Sequence, residues 1–139
     1  MSKILVDSNT LIYLVDSGEK TKNKKALEWL RSLPKDNNSY FVALQNLREF
    51  SAICIKKTSL NKEKITEWVN LYSKLFTVLD EKEQDIMNAV RISREHKTPF
   101  WDALIIATMQ RNGIGEILTE NMKDFKMEGI IPKTLFQAK

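Results

Sequence analysis

The sequence predicts a three-layer α/β/α sandwich, with helices on both faces of a mainly parallel sheet. Two features carry that expectation. Short apolar runs of strand type alternate with segments of helical period along the whole chain, and parallel strands need such crossovers between them. Polar, mostly acidic residues then follow the strand-like runs, at the carboxyl edge where open α/β sheets place their sites. With 139 residues, 42% of them hydrophobic and 29% charged, the chain suits one core, and a single domain over residues 1–139 is expected.

Ile4-Leu5-Val6 is a short β-branched run suited to a buried central strand, and it stops at Asp7. From Thr10, the apolar positions Leu11, Ile12, Leu14 and Val15 suggest a short helix ended by Gly18. Residues 23–33 supply a second helix, with Ala26, Leu27, Leu30 and Leu33 inward, and Pro34 closes it. Tyr40-Phe41-Val42 is the second strand, followed by a helix through Leu47, Phe50 and Cys54 that carries Glu49 in its early turns.

Asn61 can cap the next helix, where Ile65, Trp68, Val69 and Tyr72 fall at i, i+3, i+4 and i+7; a core stripe explains these aromatics better than a cofactor pocket. Phe76 to Leu79 is the third strand, and Asp80 with Glu83 resembles a capping box for a helix to about His96. Thr98 as cap and Pro99 at the first helical position favour a helix over 99–112, whose run Ala103-Leu104-Ile105-Ile106-Ala107 demands deep burial. Residues 116–119 give a fourth strand, and an edge strand near Ile130-Ile131 before Pro132 can follow.

Composition narrows the function classes. No apolar run approaches the roughly 20 residues of a membrane span, and Met1 leads into a strand rather than a basic, apolar leader; a cytoplasmic chain without membrane contact is expected. Cys54 is the only cysteine, which excludes an internal disulfide or cysteine-rich zinc site and suits a buried filler. Lysine and arginine exceed acidic residues by 22 to 18, a balance that favours polyanionic partners. Lys20, Lys22, Lys24 and Lys25 lie within six residues, and Lys56 with Lys57, Lys62 with Lys64, and Lys123 with Lys126 form smaller groups; solvated helix faces explain each group taken singly.

The acids are more telling. Asp7 ends the first strand, Glu49 follows the second, Asp102 opens the buried helix after Phe100 and Trp101, and Asn121 and Asp124 follow the fourth strand. Asp7 alone reads equally as a turn residue bonding the next backbone N–H, and Glu49 alone as an exposed helix residue. Together they form a cluster of like charges that calls for a compensating cation. Only oxygen donors are offered, and the single His96 sits in a polar setting near a helix end, so Mg2+ or Mn2+ suits the site better than zinc.

Val6-Asp7-Ser8-Asn9-Thr10-Leu11 resembles the opening motif of PIN domains, Leu47-Arg48-Glu49-Phe50 the second, and Phe100 to Ala107 the third. Leu118-Thr119-Glu120-Asn121-Met122-Lys123-Asp124-Phe125 is similar to the fourth. Four short motifs in order span nearly the whole chain. The resemblance implies a ribonuclease with Mg2+ or Mn2+ held by Asp7, Glu49 and Asp102, with Asp124 as a further ligand and Asn121 completing the catalytic set. Ser8, Asn9 and Thr119 would orient water or phosphate.

The length is similar to that of VapC-type toxins, which implies an RNA substrate such as transfer RNA, a small cognate antitoxin protein and a homodimer. Trp29 and Trp68, if exposed, would anchor such an interface. The sequence departs from many relatives at Asn121, where an aspartate is common. That departure supports the alternative of a non-catalytic module that binds RNA or protein. A haloacid-dehalogenase-like phosphotransferase would need a second aspartate where Asn9 stands, and a receiver domain an acid where Ser8 stands.

Overall fold

A computed structural model describes residues 1–136. Five strands, β1 (Lys3–Val6), β2 (Ser39–Ala43), β3 (Thr77–Leu79), β4 (Glu116–Leu118) and β5 (Ile131–Lys133), form one sheet in the order β3-β2-β1-β4-β5. Every pairing is parallel, with Leu5 opposite Phe41 on one side and Ile117 on the other. Parallel strands cannot be joined by hairpins; a short 3-10 turn lies between β4 and β5, and six helices among the described residues make the other crossovers. These are α1 (Ser8–Tyr13), α2 (Lys20–Ser32), α3 (Leu44–Lys57), α4 (Lys62–Leu75), α5 (Glu83–His96) and α6 (Phe100–Arg111).

Alternation along the strands divides the interior in two. Leu5, Ala43 and Ile117 pack with Ala89 and Ile92 of α5 and with residues 103–107 of α6. Val6 and Val42 face the opposite way, onto Leu11 of α1, Ala26 of α2, Phe50 and Cys54 of α3, and Tyr72 of α4. The expected three layers follow from this period of two. Tyr72 is fully buried, and its hydroxyl donates to the Leu11 carbonyl at 2.7 Å, fixing α4 against the helix that follows Asp7. Helix α6 is buried from Ala103 to Met109, as its apolar run demands.

The helix ends depart from expectation. Helix α1 begins at Ser8 rather than Thr10, because the Asp7 carboxylate accepts from the Ser8 N–H at 2.8 Å. Helix α2 begins at Lys20, three residues before the expected start at Asn23. At α5 the expected Asp80–Glu83 capping box is absent: Asp85 accepts from the Lys82 N–H at 3.1 Å, while Asp80 bonds Arg111. Thr98 does not cap α6. Pro99 holds the cap position without a side-chain bond, and the buried Thr98 accepts at its carbonyl from Ser93 Oγ.

Strand β5 runs through Pro132, which an edge strand tolerates because one of its two sides carries no ladder. Trp29 and Trp68 are half-buried rather than exposed. Trp29 packs against Tyr40 and Phe76, and Trp68 against Tyr72. Cys54 is buried and His96 exposed at the end of α5, both as expected. No helix among the described residues is long and apolar enough to cross a membrane.

Candidate active site

Central strand β1 delivers Asp7 to the carboxyl edge of the sheet, where the Asp7 N–H still bonds the Leu118 carbonyl of β4 at 2.9 Å. The side chain is 7% exposed and fully engaged. One carboxylate oxygen accepts from the Ser8 N–H and, at 3.3 Å, from Asn46 Nδ2; the other accepts from Thr119 Oγ1 at 2.7 Å. Burial nonetheless dominates these bonds and raises the carboxyl above its usual pKa.

Glu49 comes from the second turn of α3. Ser8 Oγ spans it and Asp7, standing 3.4 Å from Glu49 Oε1 and 3.5 Å from Asp7 Oδ1. Its pKa is raised, first by partial burial and then by the negative charges of Asp7 and Asp102. Asp102, in the first turn of α6, is pushed up to about 6 by burial and by the charges of Asp7 and Asp124. Four acids from four chain segments thus sense one another at a single edge.

Asn121 stands between two of them. Its amide Nδ2 donates to Asp102 Oδ2 at 3.1 Å and to Asp124 Oδ2 at 2.8 Å. Both neighbours are acceptors, which fixes the NH2 toward them. An aspartate here would add a charge between two carboxylates, whereas the amide holds them together. Asp124 is brought inward by the short 3-10 turn at Met122–Phe125, whose Phe125 is buried as an anchor.

Ser8, Glu49, Asp102, Asn121 and Asp124 therefore gather around Asp7 as the sequence suggests, whereas two further residues do not take the places expected for them. Thr119 is buried, with its hydroxyl between Asp7 and the Asn121 N–H, and it orients the carboxylate rather than a substrate. Asn9 lines a separate cavity of about 280 Å3 with Ile12, Tyr13 and Asp16, and its buried Oδ1 has no hydrogen-bond partner among the described residues.

Sequence reasoning missed the amides behind the acids. Gln45, buried at the start of α3, donates to the Trp101 carbonyl at 2.9 Å, one residue before Asp102. Asn46 is fully buried; its Oδ1 accepts from the Ala43 N–H at 2.8 Å while its Nδ2 faces Asp7. Two adjacent amides thus tie the Glu49 helix to the elements carrying Asp7 and Asp102. The available signal was a polar pair at positions where a helix leaving a buried strand should be apolar. Asn46→Ala strands the Ala43 N–H and should lower stability by about 1–3 kcal/mol, read by urea denaturation.

The donor set is oxygen throughout, desolvated and mutually repelling, which is the chemistry that hard divalent cations satisfy. Among the described residues no three His, Cys, Asp or Glu side chains stand at ligand spacing around one point. Ser8 and Asn121 hydrogen-bond across the gaps between the acids instead.

The sequence profile of the PIN domain matches residues 4–126, which include all four acids. The chain belongs to the PIN domain family. Solved structures share this PIN fold across nearly the whole chain. A toxin–antitoxin complex from Klebsiella pneumoniae is 24% identical over 97% of this chain and 99% of its own, with a TM-score of 0.68. DNA-bound VapBC from Salmonella typhimurium is 21% identical over 98% and 100%, with a TM-score of 0.69. Mycobacterium tuberculosis VapC20, described as a sarcin–ricin loop cleaving toxin, is 16% identical over 82% and 86%, with a TM-score of 0.66. No curated protein sequence matches this PIN domain.

Proposed function

We propose that this chain acts as one PIN unit and is a divalent-metal-dependent endoribonuclease, the toxin of a toxin–antitoxin pair. The observation that carries the reading is the convergence of Asp7, Glu49 and Asp102 from β1, α3 and α6, close enough that charge on one raises the pKa of another. Asp7, Glu49 and Asp102 would hold Mg2+ or Mn2+, with Asp124 reached through Asn121. When bound, the ion would supply charge neutralisation at the phosphoryl group and activation of water for in-line attack.

The remaining steps belong to the protein. Thr119, Asn46 and the Ser8 N–H hold Asp7 with both oxygens oriented. Asn121 keeps Asp102 and Asp124 together without adding charge. Ser8 Oγ, between Asp7 and Glu49, is the hydroxyl best placed to orient a water or a phosphate oxygen. Lysine and arginine together outnumber the acids by 22 to 18, a net charge of +4, and would bind the RNA backbone in a salt-dependent way.

The cleavage described for VapC20 and the toxin–antitoxin complexes among the structural neighbours support an RNA target and a small antitoxin protein as partner. Transfer RNA is the first target to test. Ile86, Met87 and Val90 stand exposed along one face of α5, an apolar strip that supports a homodimer. The absence of a membrane-capable helix among the described residues is compatible with a cytoplasmic site of action.

Purified protein incubated with transfer RNA and ribosomal RNA fragments should yield discrete products with Mg2+ or Mn2+ and none with chelator. Asp7→Asn should give none in either condition. RNA bound but never cut, with wild type and Asp7→Asn alike, would establish the non-catalytic alternative.

A further inference from the structure

We propose that Trp101 is a stacking platform for an unpaired nucleobase of the RNA substrate, seated beside the acids; this rests on the ribonuclease reading above. Helix α6 is buried continuously from Ala103 to Met109, yet Trp101 in its first turn is 63% exposed. The indole is nevertheless held. Phe100 meets it edge-on with ring centroids 5.2 Å apart, and Gln45 fixes its backbone carbonyl. A cavity of about 260 Å3 opens beside it, lined by Gln45, Arg48, Glu49 and Trp101.

That lining pairs one flat aromatic face with polar side chains, which suits a planar ligand with a hydrogen-bonding edge. Arg48 is ion-paired with Glu81, and this leaves further guanidinium N–H donors for a base edge. Glu49 is shared between the cavity and the acid cluster. A base on the indole would therefore occupy a cavity that borders the acid cluster directly.

Electrostatics give a reason for such a platform. Four acids at the site repel phosphate, so the local attraction that seats the RNA must come largely from something other than charge. Stacking on an aromatic ring is sequence-tolerant and only weakly salt-dependent. An unpaired base can reach the indole, whereas a base inside a duplex is already stacked on its neighbours.

The test uses the full chain with an end-labelled single-stranded oligoadenylate dodecamer, in excess chelator so that nothing is cut. Trp101→Ala should weaken binding roughly 5- to 150-fold, with an unchanged slope of affinity against salt, while Trp101→Phe retains most of the affinity. Because the ring is exposed, both variants should melt with wild type. Indole emission should be quenched on binding in wild type and much less in Trp101→Phe, which keeps Trp29 and Trp68. A blunt duplex of adenylate and uridylate should show no dependence on residue 101.

Equal oligoadenylate binding by wild type and Trp101→Ala, or equal dependence on Trp101 for the duplex, overturns the platform and leaves the ribonuclease reading in place. The platform fails equally if Trp101→Ala alters only the oligomeric state, since the ring would then belong to a protein interface. A wild-type chain that neither binds nor cuts any RNA overturns both.

Discussion

Asp102→Asn is expected to make the metal-free protein more stable while removing the cleavage activity proposed above. Asp102 is partly buried and faces the charges of Asp7 and Asp124, and its pKa is about 6 against an ordinary 3.8. The ionised form is therefore disfavoured in the folded state. Above pH 6 the native chain carries a penalty that the unfolded chain lacks, and the penalty is relieved as pH falls from about 6 toward 4. Melting temperature without metal should accordingly rise between pH 7 and pH 5 in wild type, and less so in the variant.

Solvent reaches part of the Asp102 side chain, which reduces the penalty to about 1 kcal/mol, or roughly 3–5 °C in melting temperature at pH 7. Millimolar Mg2+ or Mn2+ should raise the wild-type melting temperature by mass action, and Asp102→Asn should respond less. Cleavage should fall roughly a hundredfold or more with the loss of one charge-stabilising group. A variant that melts lower than wild type at pH 7 without metal, or that cuts normally, would contradict this account of the site.

The largest loss of stability is expected from Arg111→Ala. Arg111, at the end of α6, donates from Nε to Asp85 Oδ1 at 2.8 Å and from Nη2 to Asp85 Oδ2 at 2.9 Å. It also reaches the carbonyl and carboxylate of Asp80. Asp85 is completely buried in the first turn of α5. Removal of the guanidinium leaves a buried, unpaired carboxylate, at a loss of about 3–5 kcal/mol, which is a large part of the roughly 5–15 kcal/mol that holds a typical domain together.

Burial pushes the Asp85 carboxyl up, but the Arg111 guanidinium and the Lys82 N–H more than offset it, and the net shift is downward. Its contribution is therefore fully present above about pH 4, the unfolded value, and is lost as pH falls through the lower folded value. Stability in wild type should climb from pH 7 toward 5 on account of Asp102 and decline below 4 on account of Asp85. The double variant Asp85→Ala/Arg111→Ala should lose less than the two single losses added, because each single change strands the other partner. Urea denaturation of the four proteins checks this.

The strands and the acids that follow them were legible because both are local. Ile4-Leu5-Val6 ends at Asp7 on any reading, and an apolar run as long as Ala103 to Ala107 leaves Asp102 little choice but the rim. The supporting bonds were not legible. Asn46 meets Asp7 from 39 residues away, Gln45 meets Trp101 from 56, and Arg111 meets Asp85 from 26. No local pattern marks such partners.

Helix starts failed for a related reason. Asp7, Asp80 and Thr98 each have the right chemistry for a cap, but at Asp80 a distant arginine competed for the carboxylate, and at Thr98 burial left the hydroxyl no role at the α6 cap. The resemblance has Asn121 completing the catalytic set in place of an aspartate, and the geometry makes it a neutral bridge between two carboxylates. Local sequence does not tell that Trp29 joins an aromatic cluster while Trp101 stands in solvent.

The strand order sets a timetable for synthesis. β1 lies between β2 and β4, so its second neighbour, residues 116–118, leaves the ribosome long after Asp7 does, and Thr119, Asn121 and Asp124 follow later still. At about 5–20 residues per second, the carboxylate of Asp7 waits roughly 6–22 seconds for the hydroxyl that orients it. A nascent chain holding β1 to α6 has three of the acids but lacks Thr119, Asn121 and Asp124. The assembled edge comes into being only once Asp124 has been synthesised, and a partner protein present at that moment can meet the acids as they come together.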